Sequence, residues 1–284
     1  INISFSTSDA DRVTLQVSGS TVKDDKENFM GAVIIAHDSR EIQDLIAQQS
    51  RSMAQLGDAH NEIKNLNNFI TQSVLKRYLP PSLINEILDG NISMDRPAEL
   101  RRITVLFSDL CGFTPISEQI GPQAVSELLN EYLTTMNETI FKHEGTIDKF
   151  IGDSIMVIFG APLDMDPLEQ AKRAAACAIE MQTIMAKIAK EWQSKGVDNL
   201  KMRIGIHQGD AVVGNFGSDK RSDFTCIGPT VNIASRIEAS CQPGEIYISD
   251  IISDFLPEAE TQKAGEFELK GVEESQKLYK LVTH

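Results

Sequence analysis

Two aspartates close apolar runs in this chain. Asp109 ends RRITVLFSD, and Asp153 sits near the middle of TIDKFIGDSIMVIFG, residues 146–160. The second segment reads as two short β-branched strands joined by Gly152-Asp153, a two-residue hairpin turn with a carboxylate at its tip. Leu110-Cys111-Gly112-Phe113-Thr114 follows the first aspartate as a glycine-containing loop before a helical pattern, and backbone amides in such a loop suit a phosphate. Each aspartate alone has a plainer reading as a turn or helix-capping residue. On neighbouring strands of one sheet, both would reach a single small volume. Two hard oxygen ligands beside a phosphate loop describe magnesium with a nucleoside triphosphate, and two such ions can activate an attacking oxygen and stabilise a leaving one.

The elements that must position these residues run from about 101 to 284. Their order is a strand (Ile103 to Phe107), a long helical pattern (Pro122 to His143), the hairpin above and a helix (Pro167 to Trp192). A second hairpin, MRIGIHQGDAVVGNFG, comes next, then TVNIASRIEAS as a helix after a Gly-Pro turn, and short strands to Leu281. Strand, helix, two strands, helix, strand predicts an α+β fold, a ferredoxin-like antiparallel sheet with helices on one face.

Upstream, residues 1–40 hold an alternating stretch, RVTLQVSGSTV, a polar turn and the apolar FMGAVIIAHDS, a hairpin with too little core to stand alone. This ending resembles the C-terminal part of a PAS sensory domain, and its abrupt start is what a piece of a longer protein would show. Residues 41–79 lack proline and carry a seven-residue period: Ile42, Gln49, Leu56, Ile63 and Ile70 at one position, Leu45, Ser52, Ala59, Leu66 and Ser73 at the other. That seam predicts a parallel two-stranded coiled coil, with a helix packed along its own domain as the alternative. Pro80-Pro81 stops it, and 80–100 reads as a short helix and linker.

The bulk properties fit a globular protein of 284 residues with 41% hydrophobic content and a real core. A formal charge of -14 argues against a nucleic-acid or anionic-membrane surface, while leaving room for a local basic pocket. No run approaches ~18 apolar residues, and the start lacks the charged and apolar regions of a signal peptide. The four cysteines show no CxxC or His-linked spacing, so neither a zinc site nor a disulfide framework is expected. A soluble chain in a reducing cytoplasm is the expectation, with tethering through upstream regions left open.

FSDLCGFT, DKFIGDSIMVIFG, GIHQGDAVVGNFG and GPTVNIASRIE, in this order and at these separations, resemble the catalytic domain of class III adenylyl cyclases, the bacterial and cyanobacterial type most closely. The resemblance implies that Asp109 and Asp153 are the metal carboxylates, with the Leu110 carbonyl a further ligand, and that two Mg2+ or Mn2+ ions are the cofactors. Asn232 matches the asparagine that orients the ribose, Arg236 the arginine that stabilises the pentavalent phosphate, and Lys270 the lysine that contacts the terminal phosphates. The Gly112, Phe113 and Thr114 segment matches the phosphate loop; Lys220 and Arg221 are further candidates for steering phosphates.

Base choice rests on Lys149 and Thr225. Lys149 stands where adenylyl cyclases have lysine and guanylyl cyclases glutamate, and an ammonium donates to the adenine N1 acceptor. Thr225 falls where many adenylyl cyclases have Asp, and it is similar to the subset associated with bicarbonate stimulation; the neighbouring Cys226 would point to the opposite face of a strand. ATP is therefore the implied substrate, converted to cyclic AMP and pyrophosphate. His207 is read as packed in a strand rather than catalytic.

In the family, the metal carboxylates come from one subunit and Lys149, Thr225, Asn232, Arg236 and Lys270 from the other. A chain with both half-sets implies a head-to-tail homodimer with two equivalent sites. The coiled coil would bring the copies together, and an upstream sensor would regulate how they meet. The rivals are a guanylyl cyclase, a catalytically silent cyclase-like signalling module, and a metal-dependent cyclase that makes cyclic dinucleotides, whose GGDEF-like turn is absent.

Overall fold

The computed structural model describes residues 2–6, 12–38, 40–71, 81–91, 97–198, 200–218, 221–272 and 274–282. The chain divides into two units, 1–70 and 71–284. In the first, β1 (Asn2–Ser6), β2 (Arg12–Lys23) and β3 (Phe29–Asp38) form an antiparallel sheet in that order, and α1 (Arg40–Phe69) follows. The polar turn between β2 and β3 is tied by Asp24, whose carboxylate accepts from the backbone N–H groups of Lys26 and Asn28. β1 precedes the expected hairpin and was not foreseen. Along α1, the heptad residues Ile42, Leu45, Leu56, Ile63 and Leu66 are exposed within the chain. The end of the expected coiled coil, 72–79, lies outside the described residues.

The second unit opens with α2 (Pro81–Leu88), the short helix expected ahead of the linker; its Leu83 and Ile84 are buried. Then come β4 (Glu99–Cys111), α3 (Phe113–Ile120), α4 (Pro122–Lys142), β5 (Thr146–Ile151), β6 (Ser154–Phe159), α5 (Pro167–Gln193), β7 (Lys201–Ser218), β8 (Arg221–Ile227) and α6 (Pro229–Ser240). β9 (Ile246–Ser249), α7 (Asp250–Ser253), β10 (Thr261–Phe267) and β11 (Gln276–Leu281) complete it. The strand order is β10-β11-β9-β7-β4-β6-β5, with β8 paired to β7. Its centre, β7-β4-β6-β5, is the ferredoxin-like arrangement expected, extended by a parallel β7–β9 pair.

β4 is apolar on both faces, so both must be covered. Leu106 and Leu110 pack with Tyr132, Met136 and Ile140 of α4 and with Ala174, Met181 and Trp192 of α5. Ile103, Val105 and Phe107 face the other way, with Met156, Ile158 and Ala234 of α6. Helices therefore lie on two faces, not one: α6 covers the side that the ferredoxin-like reading left open.

The expected hairpin at MRIGIHQGDAVVGNFG is instead one continuous strand, β7. Its glycines read as turn signals, but they serve close approach. A Cβ on Gly205 would lie 2.2 Å from the Glu238 backbone nitrogen, and one on Gly209 would lie 2.7 Å from Thr230 Oγ1. Both neighbours belong to α6, which can sit on the sheet only where side chains are missing.

Candidate active site

The antiparallel β4–β6 pairing, with Ser108 opposite Ile155, brings the end of β4 beside the β5–β6 turn. Asp153 sits in that turn after Gly152, whose φ of 65° needs the freedom of a glycine. The Leu110 backbone N–H donates to Asp153 Oδ2 at 3.1 Å, and Ser154 Oγ donates to Asp109 Oδ1 at 2.5 Å. Each carboxylate is thus held by the other's strand. Burial, then the negative charge of Asp109, pushes the Asp153 carboxyl above its usual range.

Arg203 completes this corner. It stands opposite Asp109 in the β4–β7 register, gives Nη2 to Asp109 Oδ2 at 2.8 Å, and pairs through Nε with Glu238 Oε1 at 2.5 Å. Burial raises Glu238 to about 7, with Arg203 pulling it down and Asp109 pushing it up. Among the described residues no group of three His, Cys, Asp or Glu side chains could hold a metal ion. The available donors are Asp109, Asp153 and the Leu110 carbonyl. They are hard oxygens, the two carboxylates repel each other, and the one guanidinium at this corner, Arg203, is divided between Asp109 and Glu238, so the set fits a hard divalent cation.

The phosphate-loop candidate is the N-terminus of α3. Gly112 caps it in a left-handed conformation, φ 80° and ψ 14°. The Phe113 side chain is 7% exposed and belongs to the core, so this residue offers its backbone N–H. Thr114 is exposed at the same end.

α6 carries Asn232, exposed, and Arg236, half-buried, one helical turn apart. The Arg236 guanidinium lies against Gly271, where an added Cβ would be 3.4 Å from Nη2, so Arg236 meets the turn that contains Lys270. Glu238, only two residues past Arg236, is turned by roughly 200° about the helix axis and faces Arg203. One side of α6 therefore looks to the Asp109 corner and the other carries Asn232 and Arg236.

The base-reading candidates meet elsewhere. A bulge in β5 makes Asp148 the extra residue between Ile147, opposite Val157, and Lys149, opposite Met156. Lys149 Nζ is 3.2 Å from Asp148 Oδ2, and the Thr225 hydroxyl faces the same carboxylate. Cys226 packs in the core with Ile103 and Val105. His207 is buried in β7 as expected. Arg221 begins β8, whereas Lys220 lies outside the described residues.

Sequence reasoning missed Arg203, Glu238, Ser154 and Asp148. For Arg203 a signal existed: Met202, Ile204 and Ile206 alternate into one core, so an arginine between them must face the other side of the sheet. Its place opposite Asp109 depends on cross-strand register, which no local pattern carries.

The family described as adenylate and guanylate cyclase catalytic domain matches residues 96–283. Adenylate cyclase 1 of Rhizobium meliloti is 32% identical over 182 residues, covering 62% of this chain and 27% of its own length. The chain thus spans about a quarter of that relative. The adenylyl cyclase CyaB from P. aeruginosa superposes with a TM-score of 0.64 at 37% identity, over 66% of this chain and 96% of its own. The guanylyl cyclase Cya2 does so with a TM-score of 0.61, also at 37% identity, over 66% and 94%. With the match extending over most of the second unit, and with the paired aspartates, α6 and the β5–β6 turn all inside it, the chain belongs to the adenylate and guanylate cyclase catalytic domain family.

Proposed function

We propose that the chain is an adenylate cyclase that converts ATP to 3',5'-cyclic AMP and pyrophosphate in a site shared by two copies. Relatives of both specificities match, so the reading rests on one observation: Lys149 and Thr225 converge on a single buried carboxylate, giving a donor for adenine N1 next to a hydroxyl that can accept from the adenine amino group.

Class III cyclases depend on divalent metal ions, and Asp109, Asp153 and the Leu110 carbonyl are the groups that would hold them. Bound there, such ions supply charge neutralisation and Lewis acidity at the reacting oxygens. The chain's own residues position the rest. Asn232 orients the ribose so that its 3'-oxygen faces the α-phosphorus, Arg236 neutralises charge as that phosphorus becomes five-coordinate, and Lys270 with the α3 amides holds the phosphates that leave as pyrophosphate. The 3'-hydroxyl proton is lost as the new phosphorus–oxygen bond forms and the bond to the β-phosphate bridging oxygen breaks.

The two-sidedness of α6 supports a shared site. Within one chain, the side of the helix that meets Arg203 looks to the metal corner while Asn232 and Arg236 look away, so a head-to-tail partner is needed to bring one chain's arginine to the other's aspartates. The exposed heptad residues of α1 support a parallel coiled coil as the element that holds the copies together, with a PAS-like upstream unit acting on how they meet.

Product identity decides the reading. Purified chain supplied with manganese and either ATP or GTP should yield cyclic AMP in clear excess, and Asp153→Ala should abolish it. Cyclic GMP as the main product would assign the rival specificity, and no cyclic product from either would assign a silent module. Bicarbonate at fixed pH should raise the cyclic AMP output, and a flat response would remove that part of the proposal.

A further inference from the structure

Asp148 is the residue that the reaction does not explain. It is the bulged residue of β5, and its side chain is 0% exposed beside a Lys149 side chain that is 46% exposed. Both carboxylate oxygens are buried without a well-aligned hydrogen bond, although the Lys149 ammonium is 3.2 Å from Oδ2 and the Thr225 hydroxyl faces the group. Thr225 itself is 8% exposed. An inward-pointing, under-satisfied carboxylate costs stability, so its retention between these two side chains calls for a reason.

We propose that Asp148 is a positioning residue that sets the purine selectivity of the site by fixing the hydrogen-bond direction of Thr225 and Lys149. A threonine hydroxyl is ambivalent: it can accept from an adenine amino group or donate to the guanine O6 carbonyl. An ionised carboxylate behind it is acceptor-only, so the hydroxyl proton points to Asp148 and the oxygen lone pairs point to the base. Lys149 keeps one N–H on Asp148 and aims another at the ring nitrogen. Adenine matches both, with its amino group as donor and N1 as acceptor. Guanine mismatches both, because O6 meets a lone pair and N1–H meets an ammonium. Asp148 is fully covered and acts through its neighbours; it does not touch the base. Burial raises the Asp148 carboxyl, and Thr225 and Lys149 oppose that rise, as partners holding the charged form would.

This inference deepens the adenylate reading, and the two can fail separately. The ratio of kcat/KM for ATP over GTP in the wild-type chain tests the adenylate reading alone. The change in that ratio tests Asp148. Asp148→Asn keeps the shape but supplies an N–H toward Thr225, which turns the hydroxyl outward as a donor. The ratio should fall by about tenfold or more, with turnover of GTP rising in absolute terms. Thr225→Val should lower the ratio on its own, and Asp148→Asn in that background should lower it by less than it does in the wild type, because Lys149 alone would still relay the carboxylate. Equal loss of ATP and GTP turnover in Asp148→Asn, with an unchanged ratio, would show a structural role only and overturn the proposal. Should Asp148→Asn fail to fold, an unchanged ratio in Thr225→Val would overturn it as well.

Discussion

His207 shows how a single buried group writes pH into the stability of the fold. It is 6% exposed in β7 with Nδ1 unpartnered, and burial lowers its pKa from 6.5 to about 4, with Asp250 pushing up and Arg102 pulling down. The folded chain therefore refuses a proton that the unfolded chain accepts. Above 6.5 both states are neutral and the full stability is present; as pH falls from 6.5 toward 4 the unfolded state gains, by on the order of 3 kcal/mol in total. Urea unfolding of wild type and His207→Gln across that window should show the difference between them changing as pH drops, which separates this histidine from the carboxylates that titrate nearby. Parallel profiles would mean that His207 is not the group. At this scale the sequence was most informative where chemistry coincides with a local signal. The proximity of Asp109 and Asp153 was legible because one follows an apolar run and the other occupies a Gly-Asp turn, both local signals, whereas Arg203 and Asp148 depend on a cross-strand register and a bulge, which only the assembled sheet defines.

α6 is the element on which the site turns, and β7 is shaped to receive it. An alanine at position 205 would bring its Cβ to 2.2 Å from the Glu238 nitrogen, a backbone atom that cannot rotate away. The helix would have to lift, carrying Glu238 off Arg203 and displacing Asn232 and Arg236 from their places. Gly205→Ala should therefore destabilise the second unit by about 1–3 kcal/mol or more and depress turnover even in the fraction that folds. Thermal melting together with kcat per folded protein would check both, and a variant as stable and active as wild type would mean that α6 is not held against β7 at this point. The same glycines explain the misread element. Gly-Asp at 209–210 looks like a hairpin turn in isolation, and only the packing of Thr230 against Gly209 reveals a straight strand under a helix. The long helices α4 and α5 and the β5–β6 hairpin were legible because their periodicity and turn residues are local properties.

At the scale of the whole molecule, the proposed shared site requires one chain to carry two half-sites that face different sides of α6. Asp109 and Asp153 lie with Arg203 at the end of β4, while Arg236 sits against the Gly271 turn on the other side of α6. In a head-to-tail pair, each site would join one chain's aspartates to the other's arginine. Asp109→Asn and Arg236→Ala homodimers should then each lose activity by roughly 100-fold or more, because every site in them is defective. A heterodimer of the two variants has one site with both defects and one with neither. If the variants are mixed in equal amounts and allowed to exchange, half of the dimers are mixed and half of the sites in those are intact, so activity should recover to roughly a quarter of wild type. Recovery should also rise and then level off with total protein concentration, as the copies associate. A mixture that stays at the sum of its two components, under conditions where the copies demonstrably exchange, would place all the functional groups of a site within one chain. It would also require Arg236 to reach Asp109 around a helix that points it elsewhere.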